Sequence, residues 1–250
     1  MNRLLIIFLF LIVTTAAAQD SIKIFQAGEE VKYRVHYGLI NAGYASLSVA
    51  ESEDLYHFIG KGKTTGLASL FFKVIDQYES YVDKSTMLPK HFVRNINEGG
   101  YKINRDIYFD HKNNIAKVED HKLNTTKEYK IGEIQDMISA FYKIRSTKID
   151  TMSIGSSIYL DLFIDAEVFP FKLMLIGTEA IKTKFGKIAC YKFRPYVQSG
   201  RIFNEEESLT IWISADKNKI PVRIKAALMV GSLKMDLTSY KGLTHKFPLK

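Results

Sequence analysis

The sequence predicts a mainly β protein: a large curved, partly closed antiparallel sheet, barrel-like or half-barrel, carrying one amphipathic helix. Three observations predict it. Segments rich in Val, Ile, Tyr, Phe and Thr alternate with period two along nearly the whole chain, short turn sequences separate them, and one stretch alone shows sustained helical spacing.

The elements follow in order. Val31, Tyr33, Val35 and Tyr37 form one face of a first strand against Lys32, Arg34 and His36 on the other. Gly38 to Gly43 turns the chain, and 44–50 returns it. Further strands are expected at 55–61, 74–82, 90–97, 101–109, 115–119 and 125–131, with turns at Asp83-Lys84-Ser85, Gly99-Gly100 and 110–114. Between two strand-rich halves, Ile134, Met137, Ile138, Phe141 and Tyr142 recur at helical spacing, and Asp136 suits a helix N-terminus. The spacing predicts a helix over about 135–145 with Met137, Ile138, Phe141 and Tyr142 on the sheet. A shorter turn of helix is expected over 67–73. The second half is read as strands at 158–176, 179–184, 187–194, 208–214, 222–230 and 232–240. It echoes the first: 78–103 and 211–235 each run strand, Asp, Pro-led strand and Gly hairpin, which is read as shared hairpin grammar.

The first eighteen residues read differently. A basic start at Asn2-Arg3, an apolar run over 4–13 and the small residues Ala16-Ala17-Ala18 have the order of a secretory signal. The expectation is a signal over 1–18, cleaved after Ala18, and a single β-rich domain over 19–250, exported to the periplasm. The apolar run is shorter than the roughly 20 residues a membrane helix needs, so no transmembrane anchor is expected. No cysteine near the cut offers a lipid attachment point. The single cysteine, Cys190, rules out an intramolecular disulfide and sits in strand-like sequence as a small buried hydrophobe. With 35 Lys and Arg against 27 Asp and Glu, the chain carries a net +8. In the envelope such a charge meets anionic lipid headgroups, cell-wall polymers and acidic glycans, and no nucleic-acid partner is expected.

Catalytic signatures are sparse. No His-Glu-x-x-His helix, Gly-x-Ser-x-Gly elbow or paired cysteines occur, and no cofactor or metal is expected. Gly62-Lys63-Thr64 copies the end of a phosphate-binding loop, but His57 stands where that pattern demands Gly. Asp110-His111, Asp120-His121 and Glu205-Glu206-Glu207 read as solvated turns rather than metal ligands. Asp76 and Glu79 have opposite parity on one strand, so they point to opposite faces and make a poor acid–base pair. Arg145 or Lys73 are their alternative partners.

The chain resembles the exported bacterial proteins grouped as domain-of-unknown-function 3108. The matching residues are Phe25, Gly28-Glu29, Tyr33, Val35, Tyr37-Gly38 and Ala42-Gly43, then Asp76, Tyr78-Glu79-Ser80 and Leu88-Pro89. Asp136, Ser139 to Tyr142, Arg145, Gly177, Glu179 and Gly186 follow, and the last are Trp212-Ile213-Ser214, Asp216 and Ile220-Pro221. The resemblance implies no established mechanism. The turn-Pro-strand-Gly grammar is also similar to lipoprotein-carrier folds, whose curved sheets hold acyl chains.

The functional expectation is therefore a non-enzymatic binding or carrier module for a lipid or other amphipathic envelope component. The ligand-binding candidates are the aromatics Tyr33, Tyr37, Phe141, Tyr142 and Trp212, with Arg145, Lys32 or Arg34 at the rim for an anionic headgroup; peripheral membrane contact fits the same reading. Two alternatives stay open: a cell-wall or glycan hydrolase using Asp76, Glu79 or Asp136, and a structural partner pairing through a sheet edge. Oligomeric state is not legible.

Overall fold

The computed structural model describes residues 24–197 and 209–248. The signal over 1–18 and Glu205-Glu206-Glu207 lie outside the described residues. The first half contains β1 (Glu30–Tyr37), β2 (Ile40–Glu51), β3 (Leu55–Thr64), α1 (Gly66–Phe71), β4 (Val74–Asp83), β5 (Pro89–Glu98), β6 (Tyr101–Asp110), β7 (Ile115–Asp120) and β8 (Thr125–Lys130). After α2 (Met137–Arg145) come β9 (Ser157–Ile164), β10 (Glu167–Thr183), β11 (Gly186–Val197), β12 (Leu209–Ser214), β13 (Pro221–Ala227) and β14 (Ser232–Lys241).

All fourteen strands form one antiparallel sheet in the order β8 to β1, then β14 to β9. Each half is thus a meander, and the β1–β14 pair joins them. The echoed segments fall on equivalent three-strand meanders, β4–β6 and β12–β14. Short turns make this possible: Asn114 and Asn124 adopt left-handed φ values of 57° and 50°, a conformation Asn tolerates better than most residues.

Hydrogen bonds do not close the sheet, since β8 and β9 are its edges. The seam is narrowed by the chain leading to α2, where Gln135 N–H donates to Asp161 O at 2.8 Å and Phe163 N–H to Gln135 O at 2.9 Å. Alternating strand direction defines two ends. One, the α1 end, carries α1 and the turns at 38–39, 99–100, 121–124, 165–166 and 228–231; the far end carries those at 52–54, 84–88, 111–114, 184–185 and 215–220.

Inside the curve lies α2. Its start is determined by Asp136, whose carboxylate accepts from Ile138 N–H and Ser139 N–H, both at 2.8 Å, while the Ser139 hydroxyl accepts from Asp136 N–H at 2.9 Å. This reciprocal cap satisfies helix amides that are otherwise unpaired in an apolar interior. The buried face differs from the one predicted by spacing. Ile138, Ser139, Ala140, Tyr142 and Arg145 are buried, Phe141 is half-buried and Met137 is exposed. A helix surrounded by a curved sheet is covered on more than one side, so a single stripe does not describe it. The core is built on it: Tyr142 stacks on Phe58 with ring centroids 3.7 Å apart, and Phe25 meets both edge-on.

Several boundaries depart from the pattern: β2 begins at Ile40, inside the turn expected over 38–43, and the strand expected over 222–230 ends at Ala227. The strand expected over 158–176 is broken by a hairpin at Asp165-Ala166, both at left-handed φ (51° and 64°) without any glycine to mark it. Gly177, read as a break, instead lies within β10 at a register shift opposite β11. The short helix expected over 67–73 is α1, and it buries none of its residues.

Candidate functional site

The interior faces of β5, β6 and β7 place Phe92, Ile107 and Val118 beside Phe163 of β9 and Met137 at the start of α2. Above this apolar wall, at the α1 end, β5 and β6 set Arg94 and Arg105 directly opposite each other. Parity puts both guanidinium groups on the inner face, in line with Phe92 and Ile96 on one strand and Ile103 and Ile107 on the other. Like charges directly opposite across a ladder repel, and partial burial strengthens the repulsion. Two carboxylates offset it. Arg105 Nε donates to Asp120 Oδ2 at 2.7 Å, while Asp165 pairs with Arg94 and lies 3.6 Å from Arg105 Nη1. Burial pushes the Asp120 carboxyl upward, but Arg105 and the Leu123 amide outweigh it and leave the pKa lowered.

Asp165 differs from Asp120. Its side chain is half exposed, it stands on the left-handed hairpin, and it reaches across the seam from the other half of the chain. Arg94 Nε is buried without a hydrogen-bond partner. The mouth so closed leaves room for about one water molecule.

A second polar centre sits at the other end of α2. Arg145 is fully buried and holds Glu29 through both terminal nitrogens, Nη2 to Oε2 at 3.0 Å, while its Nε donates to Asn218 O at 3.0 Å. The guanidinium lies 5.3 Å from the Tyr142 ring centroid and 5.5 Å from that of Phe25. The Tyr33 and Tyr142 hydroxyls have no hydrogen-bond partner, and burial pushes both well above the ordinary phenol range.

The structure thus gathers Tyr33, Tyr142 and Arg145 from the predicted set into one buried centre, with the half-buried Phe141 beside it. Arg145 is not at a rim, because the last residue of α2 is buried inside the curved sheet, where Glu29 makes its charge tolerable. Tyr37 lies apart and donates to Val230 O at 2.9 Å, while Trp212 is buried in the core cluster that also holds Tyr33 and donates from Nε1 to Glu179 Oε2 at 2.9 Å. Lys32 pairs with Glu30, and Arg34 donates to Asn41 and to Leu39 O.

The carboxylates of the hydrolase reading do not converge. Asp76 accepts from Asn97 N–H, Glu79 bonds His57 and Gln77, and Asp136 is the buried cap of α2. Neither Asp76 nor Glu79 pairs with Arg145, whose carboxylate is Glu29. Among the described residues no group of three or more His, Cys, Asp or Glu is placed to hold a metal. Asp110 caps its own turn through Asn113, His111 bonds Pro89 O, and His121 shares Asp106 with His91. Cys190 is buried, and burial pushes its thiol up to about 12.

Sequence reading passed over Arg94 and Arg105. A signal was present: each occupies an inner position of an alternating strand, where Phe92-x-Arg94-x-Ile96 and Ile103-x-Arg105-x-Ile107 set a cation within an apolar row.

Comparison with known proteins bears on the fold. A β-barrel-like protein of domain of unknown function DUF1849 from Brucella abortus superposes with a TM-score of 0.59 at 12% identity, covering 87% of this chain and 98% of that one. A structure from Parabacteroides distasonis described as a "putative lipoprotein" matches at 12% identity and a TM-score of 0.34 over the same shares, too low to carry argument. No curated protein matches the chain. The barrel-like architecture is therefore shared with a protein only 12% identical in sequence. The family itself is shown by sequence: over residues 32–238, from β1 into β14, the chain matches and belongs to the family described as Protein of unknown function (DUF3108).

Proposed function

We propose that this protein is an exported, periplasmic, non-enzymatic binding or carrier module for an anionic amphipathic envelope component, taken up at the mouth beneath Asp165. The observation that carries the reading is the Arg94–Arg105 pair, two inward guanidinium groups set opposite each other over an apolar wall. A carboxylate or phosphate headgroup would satisfy both in place of Asp165, with the bidentate geometry that guanidinium favours. The acyl portion would follow along Phe92, Ile107, Val118 and Phe163, gaining about 25 cal/mol for each Å² of apolar surface removed from water. Opening requires Asp165 to swing aside and Met137 to yield. Asp165 on a strained, half-exposed turn and Met137 with its flexible side chain suit that movement.

The edge-pairing alternative is less well supported. β8 is exposed at all but Tyr129, and Lys127, Glu128 and Lys130 give its edge the charges that discourage strand addition.

Binding of a fluorescent fatty-acid probe tests the proposal. Asp165→Asn is expected to tighten binding by removing the competing carboxylate. Replacing both Arg94 and Arg105 with Gln is expected to weaken it by roughly tenfold or more, since a hydrogen bond to a charged group is worth about 1.5–3 kcal/mol. Equal affinity in all three proteins, or no probe bound by the wild type and no lipid co-purified by native mass spectrometry, would overturn it.

A further inference from the structure

The α1 end bears a continuous ridge of exposed apolar side chains. Leu39 (97% exposed) lies on the β1–β2 turn, Leu70 (79%) and Phe71 (88%) on α1, and Met229 and Val230 on the β13–β14 turn. Three contacts tie these pieces together. Tyr37 donates to Val230 O, Thr65 N–H to Ala42 O at 3.0 Å, and the Phe72 ring covers Gly99, where a Cβ would lie 2.5 Å from it. Ile40, Leu67, Ile75 and Tyr101 extend the same ridge. Among the described residues, the turns and loops of the far end expose one large apolar side chain, Ile154. Scattered exposed apolar residues are ordinary, but a concentration along one end, drawn from four consecutive connections of the sheet, marks a contact surface.

Charge identifies the occupant. Lys63, Lys73, Lys102, Lys225 and Lys234 stand on the strands and connections of this end, with Asp76 and Glu98 among its acids. Burial, and after it the neighbouring Asp76, raise the Glu98 pKa. An apolar crest within a basic collar is complementary to an anionic bilayer, whose headgroups attract lysine while its acyl boundary accepts leucine and phenylalanine. We propose that the protein docks on anionic phospholipid membranes through this end, with α1 and the β1–β2 and β13–β14 turns entering the headgroup boundary. The docking does not require the mouth to hold a ligand, although the mouth opens at the same end and would face the bilayer.

Co-sedimentation of the purified chain with vesicles of phosphatidylcholine, with and without phosphatidylglycerol, tests this. Binding is expected to the phosphatidylglycerol vesicles, to fall with added salt and to be weak on phosphatidylcholine alone. The triple variant Leu70→Ser, Phe71→Ser, Met229→Ser is expected to lose about tenfold or more in vesicle binding, since buried apolar area sets the strength of interfacial attachment. Lys63→Gln with Lys73→Gln is expected to reduce the preference for phosphatidylglycerol. Absence of wild-type binding at low salt, or a triple variant that binds as well as the wild type, would overturn the proposal. So would a wild-type dimer that the triple variant disperses without any vesicle binding, which would make a second copy the occupant. Fatty-acid probe binding by the soluble triple variant is expected to be unchanged, so failure at the tip and failure at the mouth are read separately.

Discussion

The two ends of the barrel treat their apolar and charged residues in opposite ways. At the far end the chain closes on itself. Arg145 holds Glu29, and its Nη2 reaches Ile24 O; Asn218 exchanges two hydrogen bonds with His245, both at 3.0 Å, so the segments before β1 and after β14 are tied over the base of α2. At the α1 end no comparable contact among the described residues covers Leu39, Phe71 or Met229. The difference teaches that stability and contact are segregated along one axis: residues at the base hold the barrel together, while those at the tip are left free of structural duty.

The largest test breaks the base. Glu29→Gln would leave the Arg145 guanidinium buried without its counter-charge, and such a loss typically costs about 3–5 kcal/mol. A urea midpoint lowered to that extent is the expected result. Replacing both partners together, Glu29→Gln with Arg145→Met, is expected to cost less than the single change, because no unpaired charge remains. Equal costs would show that packing, not charge, holds the base.

The next test compares two neighbours on α2. Tyr142, fully buried between Phe58 and Phe25, is expected to cost about 3–5 kcal/mol on truncation to Ala. Phe141, half-buried, is expected to cost clearly less, although the two are one residue apart. A reversed order in thermal or urea unfolding would mean that the helix presents the stripe suggested by spacing alone.

A pH test isolates the cap. Burial raises the Asp136 carboxyl from 3.8 to about 6, despite hydrogen bonds from the Ser80 hydroxyl at 2.6 Å and from the Ser139 and Ile138 amides. The folded state therefore keeps a proton that the unfolded chain has already released. The resulting stabilisation is complete below about pH 4 and is lost as the pH rises through about 6, a change of roughly 3 kcal/mol. Asp106, Asp120 and Asp236 are shifted the other way, so the signature is the difference between proteins: Asp136→Asn is expected to be relatively more stable at pH 7 than at pH 4 when each is referred to wild type. Parallel stability curves would place the Asp136 titration at its ordinary value.

These particulars show what was legible in sequence. Period-two alternation and turn residues located most strands, and Asp136 together with the 134–142 spacing located α2, because both signals are local. The hairpin at Asp165-Ala166 was not legible, since no glycine marks its left-handed residues. Arg145 read as a surface cation because its counter-charge, Glu29, is 116 residues away, and only the folded, curved sheet brings them together. Arg94 and Arg105 were hidden for a related reason: each strand alone shows one cation in an apolar row, and only register makes them a facing pair.

The smallest expected effect on stability belongs to the tip, and its smallness is what sharpens the comparison. Leu70, Phe71 and Met229 are exposed, and α1 buries no residue. Removing their side chains therefore returns no core surface to water and leaves no cavity. Leu70→Ser, Phe71→Ser and Met229→Ser should each shift unfolding by no more than about 0.5 kcal/mol, the usual range for surface substitutions. Tyr37→Phe, by contrast, removes the hydroxyl that ties the β13–β14 turn to β1 and is expected to cost about 1 kcal/mol, the net worth of one hydrogen bond. Losses of several kcal/mol at Leu70 or Phe71 would mean that the ridge is covered within the molecule and belongs to its core. Near-neutral serine variants would leave contact with another surface as the reason three large apolar side chains stand in water.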